Sequence, residues 1–334
     1  MKIAVIGSGI SGLVAAYLLQ RQHQVTLIEA DDRVGGHTNT VDVEVRGEHH
    51  RVDTGFIVYN ERTYPNFCRL IEQLGVATQA SDMSFSVACE SSGFEYATHS
   101  VAGMFARRRN LLDPGFYAML SEILRFNREA AAILDSPSEE SLADFLEARG
   151  FSRRFIDHYI VPMGAAIWSA APDRFLRFPA VAFARFFSNH GLLDHRAPVP
   201  WRVIEGGSRS YVDALLANLR GEVRTKCPVL SVRRVDGAVD LLLPDGVEAR
   251  FDHVVFACHS NQALALLEDA SNDEGAVLGA IPYQANEVVL HTDERLMPQR
   301  RKVWASWNYL IPENRQDEVI LTYDMNRLQS LDEA

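Results

Sequence analysis

The sequence predicts an α/β fold in which a Rossmann-like domain is interleaved with an α+β domain that carries a mostly helical insertion. The chain begins with a short apolar run, KIAVI, and closely spaced glycines follow it. Helical periodicity then prevails over residues 114–160, and strand patterns with Asp-Gly turns return over residues 201–270. Because strand patterns stand on both sides of the helical stretch, we expect the chain to leave the first domain and return to it.

The opening segment has the order strand, glycine turn, helix and second strand. The apolar run predicts a buried parallel strand, and Gly7, Gly9 and Gly12 follow it with G-x-G-x-x-G spacing. The first glycine permits a tight turn, the second lets a pyrophosphate approach the backbone, and the third lets the helix pack closely on the strand. Ile10 and Ser11 begin the helix, where unpaired N–H groups and the helix dipole favour a phosphate.

The second strand, QVTLIEA, ends with Glu29 and Ala30. A carboxylate at this place can accept hydrogen bonds from ribose hydroxyls. An isolated G-x-G-x-x-G is also compatible with a glycine turn that binds no ligand, but here strand, helix, second strand and acid follow in order. The sequence therefore predicts a site for the ADP half of a dinucleotide.

The residues after Glu29 continue as Arg33-x-Gly35-Gly36-His37. This extension resembles the flavin-binding signature of the superfamily that contains amine oxidases, phytoene desaturases and protoporphyrinogen oxidase. The resemblance implies FAD as the cofactor, with the arginine and the two glycines against its pyrophosphate. His37 departs from the pattern, since many relatives have a second arginine there.

The resemblance extends along the chain and implies its division into domains. It implies an FAD-binding domain of residues 1–60 and 200–275, and a substrate domain with a mostly helical cap of residues 61–199 and 276–334. It also places Val229 among the cofactor-binding residues. The further segments that carry it are Asp53-Thr54-Gly55-Phe56, Glu205-Gly206-Gly207-Ser208 and FDHVVFA at 251–257.

Composition and charge restrict the class of protein. The 334 residues carry a net charge of -11, which argues against a nucleic-acid partner because phosphate neutralisation needs a basic face. The four cysteines have no metal-binding spacing, so we expect reduced thiols, no metal site and a cytoplasmic protein. We expect no signal peptide, and no apolar run reaches the roughly 18 to 20 residues of a membrane helix.

The remaining elements follow from periodicity and turn signals. Helices are predicted over 65–75, 114–135, 142–149, 151–160 and 211–219. Strands are predicted over 83–89, 94–97, 229–234, 239–243, 254–257, 288–291, 303–309 and 319–323.

Two clusters in the helical stretch have more than one interpretation. Phenylalanines are concentrated over residues 151–190, which is typical of an ordinary core or of a lipophilic tunnel towards the flavin. Arg107, Arg108 and Arg109 follow Met104 and Phe105. This triplet predicts either a solvated basic turn or peripheral contact with an anionic membrane surface or an acyl carboxylate.

Three residues are candidates for catalysis or substrate contact. His291 can act as an acid or base near neutral pH, and Trp304 and Trp307 lie on opposite faces of a predicted strand. Amine oxidases often keep a lysine on a substrate-domain strand, but residues 286–291, NEVVLH, contain none. We therefore expect either an amine or a lipophilic, lipid-like small molecule as the substrate.

The function predicted from these features is an FAD-dependent oxidoreductase that accepts a hydride onto the flavin, with an undefined electron acceptor. An NAD(P)-dependent dehydrogenase would require the segment from Arg33 to Gly36 to be incidental. A non-catalytic dinucleotide-binding protein is the third alternative. Superfamily members extend beyond the point that matches Ala334 with a segment that meets the flavin ring, so we expect an incomplete ring site and little turnover.

Overall fold

The computed structural model describes residues 1–169, 172–193, 199–314 and 319–331. The chain forms two compact units. The first unit contains residues 276–289, whereas the resemblance predicts these residues in the substrate domain. The first unit consists of Met1–Ile57, Arg69–Thr78 and Ile204–Val289, and the second of Val58–Cys68, Gln79–Val203 and Leu290–Ala334.

The strands are short, as expected of an α/β protein. In chain order they are β1 Lys2–Ile6, β2 Gln24–Ile28, β3 Thr40–Val45, β4 Glu48–Asp53, β5 Val58–Asn60, β6 Thr78–Ser81, β7 Phe85–Cys89, β8 Phe94–Ala97, β9 Trp201–Ile204, β10 Glu222–Arg224, β11 Ser231–Val235, β12 Ala238–Leu242, β13 Glu248–Phe251, β14 His253–Phe256, β15 Trp307–Ile311 and β16 Ile320–Tyr323.

Most helices lie in the middle of the chain. They are α1 Ile10–Leu19, α2 Pro65–Leu74, α3 Val101–Met104, α4 Pro114–Ala132, α5 Leu142–Ala148, α6 Arg153–Phe155, α7 Val161–Trp168, α8 Pro172–Phe175, α9 Ala180–Asn189, α10 Arg209–Ala217, α11 Ser260–Leu266, α12 Asn272–Gly279 and α13 Met325–Gln329. Short 3-10 helices cover Arg108–Leu112, Pro244–Gly246, Glu294–Leu296 and Arg301–Val303, and a π-helical turn covers Ile156–Ile160.

The first unit is built on a parallel sheet with the order β10, β2, β1, β14. Val5 of β1 lies opposite Leu27 of β2 and Val255 of β14. β1 is buried over its last four residues, which explains its continuous apolar sequence. A three-stranded antiparallel sheet of β11, β12 and β13 shares a core with the parallel sheet. The predicted strand, glycine turn, helix and strand are confirmed.

The second unit contains a four-stranded mixed sheet with the order β16, β15, β7, β8. β7 and β8 pair antiparallel, which confirms the strands predicted over 83–89 and 94–97, and β15 runs parallel to β7. Helices α4, α5, α7 and α9 contribute to the core beside this sheet. Phe155, Phe175, Phe183 and Phe187 are buried there, and the rings of Phe183 and Phe187 lie 4.1 Å apart. These phenylalanines therefore form core, one of their two predicted roles.

The helix predicted over 151–160 differs from the observed structure. It divides into α6, the π-helical turn and α7, whose second residue is Pro162. Proline has no backbone N–H to donate to the carbonyl of His158 four residues earlier. That carbonyl instead accepts a hydrogen bond from the Tyr96 hydroxyl at 2.9 Å. The missing donor explains the local widening of the helix.

Two predicted strands need correction. The strand predicted over 288–291 is wrong, because residues 284–293 lie outside helices and strands and Val288 and Val289 are each 65% exposed. The strand predicted over 303–309 begins only at Trp307, since Arg301–Val303 forms a 3-10 helix. Among the described residues, no helix combines the length and apolar character needed to cross a membrane.

Candidate cofactor site

The glycine turn begins at the carboxyl end of β1. Gly7 has a φ of 98° and donates its N–H to the Ile28 carbonyl at 2.9 Å. A Cβ atom at this residue would lie 2.8 Å from the carbonyl oxygen of Ala257. Both the left-handed backbone and the close approach of the Ala257 segment therefore favour glycine.

Gly9 and Gly12 have different surroundings. Gly9 precedes α1, and the hydrogen bond from the Leu13 N–H to its carbonyl is 2.9 Å long. The N–H groups of Ile10, Ser11 and Gly12 therefore have no acceptor within the helix. A Cβ at Gly9 would meet no atom within 4 Å, whereas one at Gly12 would lie 1.9 Å from the Gly7 carbonyl oxygen. Gly12 serves helix packing, and Gly9 borders open space beside free donors.

A second glycine loop meets the first at this place. Gly35 has a φ of 125° and donates its N–H to the Ser8 carbonyl at 3.0 Å. A Cβ at Gly36 would lie 2.9 Å from the Cα of Gly9. Two glycine-containing backbone segments, at Gly9 and at Gly36, thus approach each other at the start of α1. Such an arrangement lets a phosphate reach main-chain N–H groups from two sides.

Arg33 closes the second loop. Its Nη1 donates to the Thr38 carbonyl and its Nη2 to the Gly36 carbonyl, both at 2.8 Å. The guanidinium is therefore held beside the double glycine by hydrogen bonds within the loop. This contact was not predicted, because the resemblance assigns Arg33 to the cofactor alone. It fixes a positive charge next to the backbone of Gly36.

Glu29 lies directly after β2 and is oriented by several donors. One carboxylate oxygen, Oε2, accepts hydrogen bonds from the backbone N–H and the hydroxyl of Ser8. The other, Oε1, accepts from the Asp31 N–H at 3.0 Å. The Glu29 carbonyl accepts from the Cys227 N–H, so the segment that contains Val229 runs beside the acid. The side chain of Val229 is itself buried in the core of the first unit.

A buried acid, Asp53, connects two segments that are about 150 residues apart in the chain. Asp53 is 1% exposed, and its carboxylate accepts hydrogen bonds from the backbone N–H and hydroxyl of Ser208 and from the hydroxyl of Thr40. Burial raises the pKa of Asp53, although these hydrogen bonds oppose the rise. The Asp53 carboxylate thereby holds the turn Glu205-Gly206-Gly207-Ser208. The contact between Asp53 and Ser208 cannot be recognised from either residue's place in the sequence.

Ring stacking places His37 in a group that was not predicted. The His37 ring stacks on His259 at 5.6 Å between centroids, and His259 stacks on Tyr283 at 4.2 Å. The Tyr283 hydroxyl accepts the Ser260 N–H at 2.9 Å. His37 follows the double glycine, and His259 follows β14. The three rings therefore extend the glycine loops on the same unit.

The three candidates for catalysis have different partners. His291 is exposed, and its Nδ1 accepts the N–H of Asp293 at 3.0 Å. Trp304 Nε1 donates to the Pro298 carbonyl at 2.7 Å. Trp307 packs edge-on against Tyr323, and its buried Nε1 has no acceptor among the described residues. Their catalytic roles stay predictions, and Trp307 alone has a buried donor available.

Metal-binding side chains do not gather in the described part of the chain. Over these residues there is no group of three or more His, Cys, Asp or Glu side chains that could hold a metal ion. Cys68, Cys89, Cys227 and Cys258 are free thiols. Burial raises the pKa of Cys258, which follows β14, and so disfavours its reactive thiolate.

Comparison with curated proteins gives relatives among flavin enzymes. The flavin-dependent L-tryptophan oxidase RebO of Lentzea aerocolonigenes is 28% identical over 290 residues, which are 76% of this chain and 57% of the relative. Protoporphyrinogen oxidase 2 of Arabidopsis thaliana is 26% identical over 190 residues, which are 52% of this chain and 33% of the relative. The chain thus spans less than two thirds of the length of these relatives.

Solved structures share the fold at lower identity. A putrescine oxidase A394C mutant superposes with a TM-score of 0.64 at 18% identity, over 83% of this chain and 62% of that chain. Cyclohexylamine oxidase from Brevibacterium oxydans gives a TM-score of 0.63 at 20% identity, with the same coverage of 83% and 62%. These likenesses show that the chain shares the mixed α/β fold of these two amine oxidases.

The family model described as "Flavin containing amine oxidoreductase" matches residues 10–315. The geometry of the first unit fits the cofactor of this family, since Gly9 and Gly36 leave backbone exposed beside free helical N–H groups and Glu29 lies at the adjacent strand end. The cofactor is FAD, as the segment from Arg33 to Gly36 predicts. The chain belongs to the flavin containing amine oxidoreductase family.

Proposed function

We propose that this protein is an FAD-dependent oxidoreductase that removes a hydride from a small amine. The observation that carries the proposal is the meeting of Gly9 and Gly36 at the start of α1, with Glu29 at the neighbouring strand end. When bound, FAD supplies the hydride acceptor in its isoalloxazine ring. The protein therefore has to bind the cofactor, orient the donor carbon and control solvent access.

The roles of the first unit follow from its geometry. The free N–H groups of Ile10, Ser11 and Gly12 suit the pyrophosphate, and Arg33 adds a fixed positive charge beside them. The Glu29 carboxylate suits the ribose hydroxyls of the adenosine. These assignments rest on donors and acceptors that the fold already orients. An NAD(P) site would need only the first glycine turn. It would not account for the second glycine loop, which contains Arg33, Gly35 and Gly36.

Amine oxidation has support from the relatives. RebO, which covers 76% of this chain, is named for oxidation of L-tryptophan, and two of the structural neighbours are putrescine and cyclohexylamine oxidases. In the second unit, the buried Nε1 of Trp307 is a donor without an acceptor among the described residues. We assign it to hydrogen bonding with a polar atom of the substrate.

A lipophilic substrate is the second candidate. Residues 286–291 contain no lysine, and the second unit is rich in aromatic side chains. A fatty acid isomerase from P. acnes shares the fold with a TM-score of 0.58 at 19% identity. In both candidates the hydride leaves a C–H bond, but a C–N bond becomes C=N in amine oxidation and a C–C bond becomes C=C in lipid oxidation. Flavin reduction by donors of the two classes therefore separates them.

The experiment is a visible spectrum of the purified protein, followed by anaerobic mixing with candidate donors. We expect flavin absorption that an acid extract identifies as FAD. We also expect bleaching by L-tryptophan, putrescine or cyclohexylamine faster than by an unsaturated fatty acid or protoporphyrinogen. The Trp307→Phe variant should retain FAD and bleach more slowly, whereas Trp304→Phe is the matched control.

Three results would contradict the proposal. A protein that remains colourless after incubation with FAD and gel filtration has no flavin site, and retention of NAD(P) in its place favours a dehydrogenase. Bound FAD that no donor reduces, while dithionite does reduce it, favours a non-catalytic protein. Bleaching by the lipophilic donors alone replaces amine oxidation with lipid oxidation.

A further inference from the structure

A surface of the second unit combines basic and aliphatic side chains. Residues 96–112 contain no aspartate or glutamate but include three consecutive arginines. They form α3 and the 3-10 helix Arg108–Leu112. We call this the basic-apolar surface and define it by Val101, Arg108, Arg109, Leu111, Leu112 and Lys302.

The aliphatic members of this surface are unusually exposed. Leu112 is 88% exposed, Val101 74% and Leu111 50%. Single exposed aliphatic residues are common on protein surfaces, but these three lie within twelve residues of the chain, and the same twelve residues include Arg108 and Arg109. Leaving them in water forgoes the free energy that burial would release. The grouping therefore points to a partner that accepts apolar side chains.

The backbone that presents these side chains is well anchored. Asn110 is buried, and its amide donates to the carbonyls of Glu95 and Met104 at 3.1 and 3.3 Å. Ser100 caps α3 by accepting the Gly103 N–H, and Tyr117 donates its hydroxyl to the Leu111 carbonyl. The exposed leucines thus project from a loop held at several points. Their exposure follows from the fold rather than from fraying.

The charges of this surface are largely unneutralised. Arg108, Arg109 and Lys302 are exposed and form no ion pair with the described residues. Lys302 is included because the 3-10 helix Arg301–Val303 packs against α3, where the Lys302 carbonyl oxygen would lie 2.9 Å from a Cβ at Gly103. The whole chain carries a net charge of -11. A local positive face on an acidic protein is attracted to an anionic partner and orients the molecule towards it.

We propose that the basic-apolar surface docks on an anionic phospholipid bilayer. Arg108, Arg109 and Lys302 would lie among the headgroup phosphates, and Leu111, Leu112 and Val101 would enter the boundary with the acyl chains. An anionic bilayer can bind the basic side chains through its phosphates and the aliphatic side chains through its acyl chains. An acidic protein or a nucleic acid would satisfy the arginines but gain little from the exposed aliphatic residues. The docking is peripheral and independent of the cofactor.

The test is cosedimentation of the full chain with vesicles. We expect binding to vesicles of phosphatidylglycerol mixed with phosphatidylcholine, weaker binding as salt rises, and little binding to phosphatidylcholine alone. Removing two charges in Arg108→Gln/Arg109→Gln should weaken binding about 25-fold, about fivefold per charge. Leu112→Ser should also weaken binding, with the salt dependence unchanged.

The control variants carry the same substitutions elsewhere. Arg153→Gln/Arg233→Gln removes two exposed arginines outside this surface, and Val277→Ser removes an aliphatic residue that is 66% exposed. We expect both to bind vesicles as the parent protein does. The proposal is overturned if the control variants lose as much binding as the test variants, or if the parent protein does not bind the anionic vesicles. Equal binding to DNA or to polyglutamate, abolished by the same variants, would also overturn it.

Discussion

Ser8 and Glu29 are joined by two hydrogen bonds, because the backbone N–H of Ser8 at 2.8 Å and its hydroxyl both donate to Oε2 of Glu29. Ser8 is completely buried within the glycine turn. The serine therefore links the turn at the end of β1 to the acid at the end of β2. Ser8 holds the Glu29 carboxylate in place before a ribose binds. This reduces the side-chain entropy that is lost on binding.

The Ser8→Ala variant should bind FAD more weakly without a change in fold. Loss of one hydroxyl donor to a carboxylate costs about 1 kcal/mol, which corresponds to about a fivefold higher Kd. Titration of flavin fluorescence measures the affinity. Ser121→Ala, which removes an exposed hydroxyl of the second unit, is the control and should leave the Kd unchanged. An unchanged Kd in Ser8→Ala would mean that the backbone alone orients Glu29.

Gly9 and Gly12 should respond differently to substitution. Gly9 has a φ of -62° and a ψ of 176° and faces open space, so Gly9→Val should change the free energy of unfolding by less than about 1 kcal/mol. The same variant should lose FAD, because its side chain fills the approach to the helix N-terminus. Gly12→Ala should destabilise the first unit by about 3 kcal/mol, since its Cβ meets the Gly7 carbonyl oxygen. Thermal unfolding measures the stability of both variants, and flavin absorbance after gel filtration measures how much FAD each retains. Retention of FAD by a folded Gly9→Val protein would contradict the site.

Asp113 should give the second unit a pH-dependent contribution to stability. It caps α4, and Arg154 donates to its two carboxylate oxygens at 3.0 and 2.8 Å. The hydrogen-bonded Arg154 guanidinium lowers the pKa of Asp113 below its ordinary 3.8. An acid with a lowered pKa in the folded state stabilises above the unfolded value, and this stability is lost as pH falls through the folded value.

Asp113→Asn keeps a capping oxygen but removes the charge. It should reduce the free energy of unfolding by about 1 kcal/mol at neutral pH. The difference from the parent protein should shrink as the pH falls below 3.8 towards the lowered pKa. Denaturant unfolding at several pH values measures the difference. Asp135→Asn, at an exposed aspartate, should match the parent throughout, and a difference for Asp113→Asn that is constant with pH would exclude the ion pair as its cause.

Arg300 should matter more than its exposure suggests. Its Nη1 contacts the Glu95 carboxylate, which is only 3% exposed and also accepts the Gln299 N–H. Arg300→Met leaves a buried carboxylate without its cation and should cost about 2 to 3 kcal/mol of unfolding free energy. Arg301→Met breaks the exposed pair with Glu294 and the contact of the Arg301 guanidinium with the Trp304 ring, whose centroid lies 4.8 Å away, and should cost about 1 kcal/mol or less. Equal, small losses in both variants would show that water replaces the Arg300 contact.

Several elements were predictable because their signals are local. The apolar run of β1, the spacing of Gly7, Gly9 and Gly12, and Pro65 at the start of α2 each act within one turn or strand. The segment 288–291 shows the limit of such signals. Its apolar residues resemble a strand, but a strand forms only where a neighbour offers hydrogen bonds, and residues 284–293 lie outside the sheets of the described chain.

The sequence by itself determined the glycine turn before α1, the position of Glu29 after β2 and, through the resemblance carried by Arg33 to Gly36, the prediction of FAD as the cofactor. Tertiary structure decided what surrounds them: Ser208 on buried Asp53, His259 and Tyr283 stacked beside His37, and the Arg33 guanidinium closing its own loop. The glycine turn depends on the dihedral angles of only a few neighbouring residues, so it can be recognised from the sequence alone. Contacts such as Asp53 with Ser208 join distant segments, and only the packing of the whole unit brings them within hydrogen-bonding distance.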